Sequence, residues 1–317
     1  MKSFSVEFSV QSMSHPQLNE ESLPLLFQVS DAASIKAQTN YYRRLKIHLS
    51  LLIISAAPAF TLSDENNRIG AVVSLVSFVA ALSLLLWQNN NKQMETWYSS
   101  RAVAESTKTM SWRWIMQSIS KAGETLTETE KQERLQLLKQ DFVSDLSQVI
   151  EQNKAFYSFS ASDLSIQNSV TDTMSYIKSL PRQERLGIYK KQRIEDQAQW
   201  YRKKAKFNES RSALWRWISI LLHVTAIVLL ILRIFVVDPH FPIEVISTTA
   251  GAVISWMEAK RYSELKSSYG LTADEIDGIK KKLEKLEDDE KSLSDFVADS
   301  EAAFSREHTQ WVARASA

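Results

Sequence analysis

Polar residues recur at helical spacing inside the most apolar parts of this chain, and there they can do chemistry only with an ion, water or one another. In the stretch 213–237, Arg216, Ser219, His223 and Arg233 fall with Ala226 and Leu230 at steps of three and four, so they share one helix face. In and just past 241–257, Glu244, Thr248, Gly251, Ser255 and Glu258 repeat the pattern. Polar groups in hydrocarbon are expensive unless paired or placed against water. Two readings therefore stay open. The stripes pack the helices, with small and hydroxyl residues allowing close approach; or oligomerisation turns them toward a shared aqueous path, with His223 at mid-membrane and Arg233 near its outer mouth. Counted from the turn between the stretches, Arg233 and Glu244 lie at similar depth, which predicts an ion pair. Gly70, Ser74, Ser77 and Ala81 form a further seam of small residues within 69–87, read as hairpin packing.

Conventional catalysis has little to work with. There is no glycine-rich phosphate loop, no His-Glu-x-x-His, no nucleophile elbow and no cysteine. The histidines, His15, His48, His223, His240 and His308, are scattered through unrelated segments. No catalytic, metal or cofactor-binding residue is therefore assigned, and an enzyme is not expected. The net charge of +1 gives no basic surface for nucleic acid, although local Lys and Arg clusters suit anionic lipid. Among the aromatic residues, Trp97, Tyr98, Trp112, Trp114 and Trp200 read as helix packing, with ligand stacking as the alternative. Trp215 and Trp256 are placed as membrane-interface anchors.

The elements that must position these groups are helices. Glycine and proline number six each, and no long β-branched alternation occurs. A spanning helix needs about 20 apolar residues to cross about 30 Å of hydrocarbon. Residues 69–87 meet this with no charge. In 213–237 about sixteen Leu, Ile, Val and Phe residues, worth roughly 0.3–0.6 kcal/mol each, outweigh an arginine costing about 3. Residues 47–62 and 241–257 are weaker and need those two as antiparallel partners across the short links 63–68 and 238–242. Arg43, Arg44, Lys46 and Lys92 flank the first hairpin and Lys203, Lys204, Lys206, Arg211, Lys260 and Arg261 the second, whereas Arg68 alone lies between paired helices. The sequence thus predicts an all-α integral membrane protein with two transmembrane helical hairpins, four spans, long cytoplasmic helices and both termini cytoplasmic.

The expected organisation is a polar segment 1–19, a first two-span unit 20–157, a linker 158–171 and a second two-span unit 172–317. A helix is expected to run from about Asp31 into the first span, and another from Gln88 to Met116, with a break at Gly123. Leu135, Leu138, Phe142, Leu146, Val149 and Ile150 stripe a helix over Glu128 to Asn153. Pro181 suits a helix start. Thr272 with Glu275 reads as a capping box, Ile276, Ile279, Leu283 and Leu286 as a coiled-coil seam, and Lys280 to Lys291 as that helix's solvated face. Tyr41-Tyr42-Arg43-Arg44-Leu45-Lys46 before the first hairpin matches Trp200-Tyr201-Arg202-Lys203-Lys204-Ala205-Lys206 before the second, which indicates a parallel duplication.

With Trp97-Tyr98, Arg101-Ala102, Glu105, Lys108 and Trp112-Arg113-Trp114 following the first hairpin, the front half resembles one subtype of the SLATT family. The back half resembles another, through Trp200-Tyr201, Tyr262, Leu265, Tyr269, Leu271-Thr272 and the tail Glu307-His308 with Trp311. The resemblance implies two-transmembrane effector domains that sit beside nucleotide-producing and nucleotide-sensing proteins in bacterial conflict systems. It further implies a homo-oligomeric pore in the inner membrane, opened by a nucleotide signal or a partner protein. The alternative is a non-conducting membrane anchor or scaffold that recruits cytosolic partners.

Overall fold

A computed structural model describes residues 17–60, 68–90, 93–119, 124–153, 169–235 and 241–316. The segment 1–16, Gly123, the linker 158–168 and most of both short links lie outside these residues, as do the side chains of Glu307, His308 and Trp311. The described residues form helices and contain no strand: α1 Leu25–Ala56, α2 Arg68–Asn90, α3 Gln93–Met116, α4 Glu128–Gln152, α5 Asp172–Ser179, α6 Arg182–Tyr189, a π-helical stretch Lys190–Glu195, α7 Asp196–Phe235, α8 Ile243–Lys260, α9 Tyr262–Leu283 and α10 Glu290–Ser316.

Local signals account for most of these limits. Pro24, extended at ψ 148°, stands before α1, so that helix begins six residues earlier than expected. Thr127 and Glu130 form a reciprocal capping box that starts α4, and Pro181 immediately precedes α6. Three expectations are corrected at the C-terminal end. Thr272 lies inside α9 and its hydroxyl donates to Ser268 O at 3.1 Å, so it starts no helix. The real boundary is Arg261, whose left-handed φ of 50° ends α8 and begins α9. The charged run 280–291 is also no single helix face, because α9 stops at Leu283 and α10 begins at Glu290. Ile276, Ile279 and Leu283 are buried in a multi-helix core rather than in a two-helix seam.

One hydrophobic core unites both halves of the chain. Val103, Trp112 and Ile115 of α3 and Phe142 and Leu146 of α4 pack with Tyr189, Ile194, Ile276, Leu293 and Val297 from the second half. α10 lies on α3, α9 on α7, and α1 touches α3, α2 and α8. Away from this core the chain is apolar on its outside. Arg68–Gln88 and the run Arg182–Phe235 are long and apolar enough to cross a membrane. Only 17% of the first apolar window and none of the second is buried, the reverse of a soluble core helix. α8 covers most of the expected span 241–257, whereas α1 reaches only Ala56 of the expected span 47–62 and gives way to a 3-10 turn Ala57–Phe60; neither reaches that apolarity alone.

Candidate functional site

Helices α7 and α8 place the predicted polar stripes on the outside of the chain. Arg216, His223 and Arg233 on α7 are exposed and Ser219 is half-buried. On α8, Glu244, Gly251, Ser255 and Glu258 are exposed and Thr248 is half-buried, while Ile243, Ala250, Val253 and Trp256 fill the opposite, buried face. The expected ion pair is present, with Arg233 Nη1 3.5 Å from Glu244 Oε1. Three of the other polar groups turn to their own helix: His223 Nδ1 lies 2.7 Å from Ser219 O, Thr248 Oγ1 donates to Glu244 O at 2.8 Å, and Ser255 Oγ to Gly251 O at 3.0 Å. The two stripes touch at Arg233 and Glu244, and the rest of their polar residues are exposed or half-buried among the described residues.

The first hairpin is built the other way round. Gly70, Ser77 and Ala81 are buried against its partner, and Ser74 Oγ donates across the hairpin to Ser55 O at 2.8 Å. Val72, Leu75, Val76, Phe78, Val79 and Leu82 of α2 face outward. All its small and hydroxyl residues of the seam point inward, and its outside is hydrocarbon.

A cleft of about 460 Å³ opens in the helical bundle where α1, α3, α7 and α9 converge. Trp97, stacked on Tyr98 with ring centres 4.9 Å apart, and Trp200, edge-on to Tyr201 and Tyr269, stand in its wall. Arg101 bridges Asp31 at 2.8 Å and Glu105 at 2.5 Å; burial opposes its charge, but the two carboxylates more than offset this and raise its pKa. Lys108 has its ammonium pulled below the usual range by burial and by Arg193. The aromatic residues expected to pack helices do so here, and they also border space.

Beneath the cleft lies an ion pair that sequence reasoning missed. Arg193, on the π-helical stretch, is 2% exposed and Glu301 on α10 is fully buried, with Nη2 to Oε2 at 2.6 Å and Nε to Oε1 at 2.9 Å. The Tyr189 hydroxyl donates to the same carboxylate at 2.9 Å, and burial beside that charge pushes its pKa well up. Burial disfavours the Arg193 charge, yet Glu301 holds the guanidinium above its ordinary value. A signal was available, since Glu301 sits in the helical stripe formed with Leu293, Val297 and Phe304. A carboxylate at a core position demands a buried partner.

The family model for SMODS and SLOG-associating 2TM effector domain 3 matches residues 24–186, and that for SMODS and SLOG-associating 2TM effector domain 1 matches residues 189–311. The matches abut within the continuous helical run Arg182–Phe235. No curated protein and no solved structure matches the chain.

Proposed function

Because this chain belongs to the SLATT family of two-transmembrane effector domains and carries two different subtypes in tandem, we propose that it is a four-span effector of the bacterial inner membrane. Both termini are cytoplasmic, and its copies associate into a pore when the cytosolic bundle receives a nucleotide signal or a partner protein during a conflict response. The proposed effect is permeation, not catalysis. One observation carries it: Arg216, His223, Arg233, Glu244 and Glu258 are exposed, beside outward Leu, Ile and Val on α7 and beside Ser247, Gly251 and Ser255 on α8. His223 lies near the middle of 213–237 and the charged residues toward the ends of their stretches, where a charge costs less than the about 2.5–3.5 kcal/mol of the bilayer centre but still favours a polar neighbour over lipid tails. Association that sets these faces against one another and against water removes that cost. α1 and α8, too polar to insert alone, are carried by their packed partners α2 and α7. Exposed Lys203, Lys206 and Arg211 around Phe207 and Leu214 suit the cytoplasmic headgroup region.

The test is induced expression with a dye-leakage and ion-flux readout. Arg233→Leu is expected to insert normally and to lower flux or change its selectivity, because it removes the charge at the outer mouth. Unchanged flux and selectivity in an inserted variant would remove the pore-lining role. Absence of any leakage from the wild type would favour the scaffold. The chain has no cysteine, so single Cys substitutions at Arg68, His223 and Asp238, labelled from either side, report topology and water access together.

A further inference from the structure

At the inner ends of the two hairpins α1 lies against α8, and four side chains converge there: Tyr42 and Lys46, one turn apart on α1, and Trp256 and Lys260, one turn apart on α8. Trp256 is 9% exposed and meets Tyr42 edge to face, with ring centres 5.9 Å apart. Lys260 Nζ lies 3.2 Å from the centre of the Tyr42 ring and 5.1 Å from that of Trp256. Lys46 Nζ lies 5.3 Å from the same indole. Two ammonium groups thus share one aromatic platform. Among the described residues neither has a carboxylate partner, and the buried Trp256 Nε1 has no acceptor.

Each of these facts is unfavourable alone. A buried N–H without an acceptor loses its hydration uncompensated, and like charges repel across a partly buried junction. Burial, with Lys46 beside it, pushes the Lys260 ammonium down to about 8. The cation–π contacts offset some of this but supply no negative charge. An anionic oxygen group between the two ammoniums would supply the missing negative charge.

We propose that this junction seats the phosphate of an anionic phospholipid from the cytoplasmic leaflet, held by Lys46 and Lys260, with the Trp256 indole N–H as a further donor. The seat joins the first hairpin to the second, so its lipid clamps their inner ends together. It rests on the four-span reading, which puts both lysines at the cytoplasmic interface, where anionic headgroups attract basic residues.

The experiment uses the full chain in nanodiscs of phosphatidylcholine alone or of an equal mixture with phosphatidylglycerol. Retained lipid is read by native mass spectrometry after delipidation, and the thermal midpoint in parallel. Phosphatidylglycerol is expected to be retained and to raise the midpoint. Lys46→Gln with Lys260→Gln is expected to weaken retention on the order of tenfold or more, whereas Lys46→Arg with Lys260→Arg keeps it. Should the double glutamine variant aggregate, Lys46→Gln at its exposed position carries the same test, with a several-fold loss. Wild-type retention in the glutamine variants would overturn the seat. Equal protection by inorganic phosphate in phosphatidylcholine discs would reassign it to a soluble anion and overturn the lipid. Alkaline carbonate extraction separates the premises: an extracted chain ends the spanning reading, while an inserted chain indifferent to phosphatidylglycerol ends only the seat.

Discussion

Glu301→Ala removes one partner of a pair sealed from solvent, and its cost can be worked from the surroundings. Arg193 cannot shed its proton, so the variant strands a cation that is 2% exposed. It also strands the Tyr189 hydroxyl, whose acceptor at 2.9 Å is lost. Breaking a buried pair from one side costs about 3–5 kcal/mol. For a chain of this size, at roughly 2 °C per kcal/mol, the midpoint falls by about 6–10 °C. The pair itself is a different matter, because charges of this kind do not stabilise much over a hydrophobic replacement. Arg193→Met with Glu301→Leu is therefore expected to melt above the single variant, despite carrying one more substitution. Tryptophan fluorescence reports the event directly, since Tyr189 stands edge-on to Trp112 at 5.4 Å. A Glu301→Ala midpoint within 2 °C of wild type, or a double variant no better than the single one, would refute the account.

Two more predictions concern the helical core away from the apolar hairpins. Lys178, 5% exposed, donates to Trp114 O at 2.6 Å and Gln117 O at 2.8 Å, capping the end of α3; burial, then Arg185, pushes its ammonium down to about 7 against an opposing pull from Glu290. The unfolded lysine titrates near 10.4, so between pH 7 and 10 the unfolded chain binds more protons and this group's contribution to stability grows with pH, while below pH 7 it gives no slope. The midpoint of wild type minus that of Lys178→Met should climb from pH 7 to 9.5, and a flat or falling difference sinks the assignment. Thr127→Ala removes the hydroxyl that accepts from Glu130 N and should cost α4 about 1 kcal/mol, read as faster hydrogen exchange in its first turn with no change in α9.

What was legible in the sequence is what depends on short-range spacing. The apolar stretches, the α4 stripe, the inward seam of Gly70, Ser74, Ser77 and Ala81, and the Arg233–Glu244 depth match all follow from counting along one helix or across one tight turn. Long-range pairing was not legible. That Glu301 meets Arg193, or that Tyr42 meets Trp256, depends on how helices distant in sequence cross. The break at Arg261 carried no signal either, since a left-handed residue that is neither glycine nor asparagine is uncommon and nothing in its neighbours marks it. Thr272 misled for the opposite reason. A threonine with glutamate three residues on caps a helix only if the chain before it is extended, and here its hydroxyl bonds back into an unbroken helix.

The two hairpins, alike in order and orientation, differ in what they show to their surroundings. The first turns its seam inward, with Ser74 bonded to Ser55, and shows Val72, Leu75, Phe78 and Leu82 outside, while exposed Ser83 bonds back to Val79 O of its own helix; lipid tails suit that surface. The second also shows hydrocarbon on α7, with Ile220, Leu221, Val224, Ile227 and Val228 outside, but adds Arg216, His223, Glu244 and Glu258 to that surface, groups that lipid tails do not satisfy. On the proposed pore reading, those polar residues are what association has to pair or wet, while α2 already suits the lipid boundary. Because α1 packs on α8 and α10 on α3 within the same chain, the two hairpins and the helical core form one packed unit.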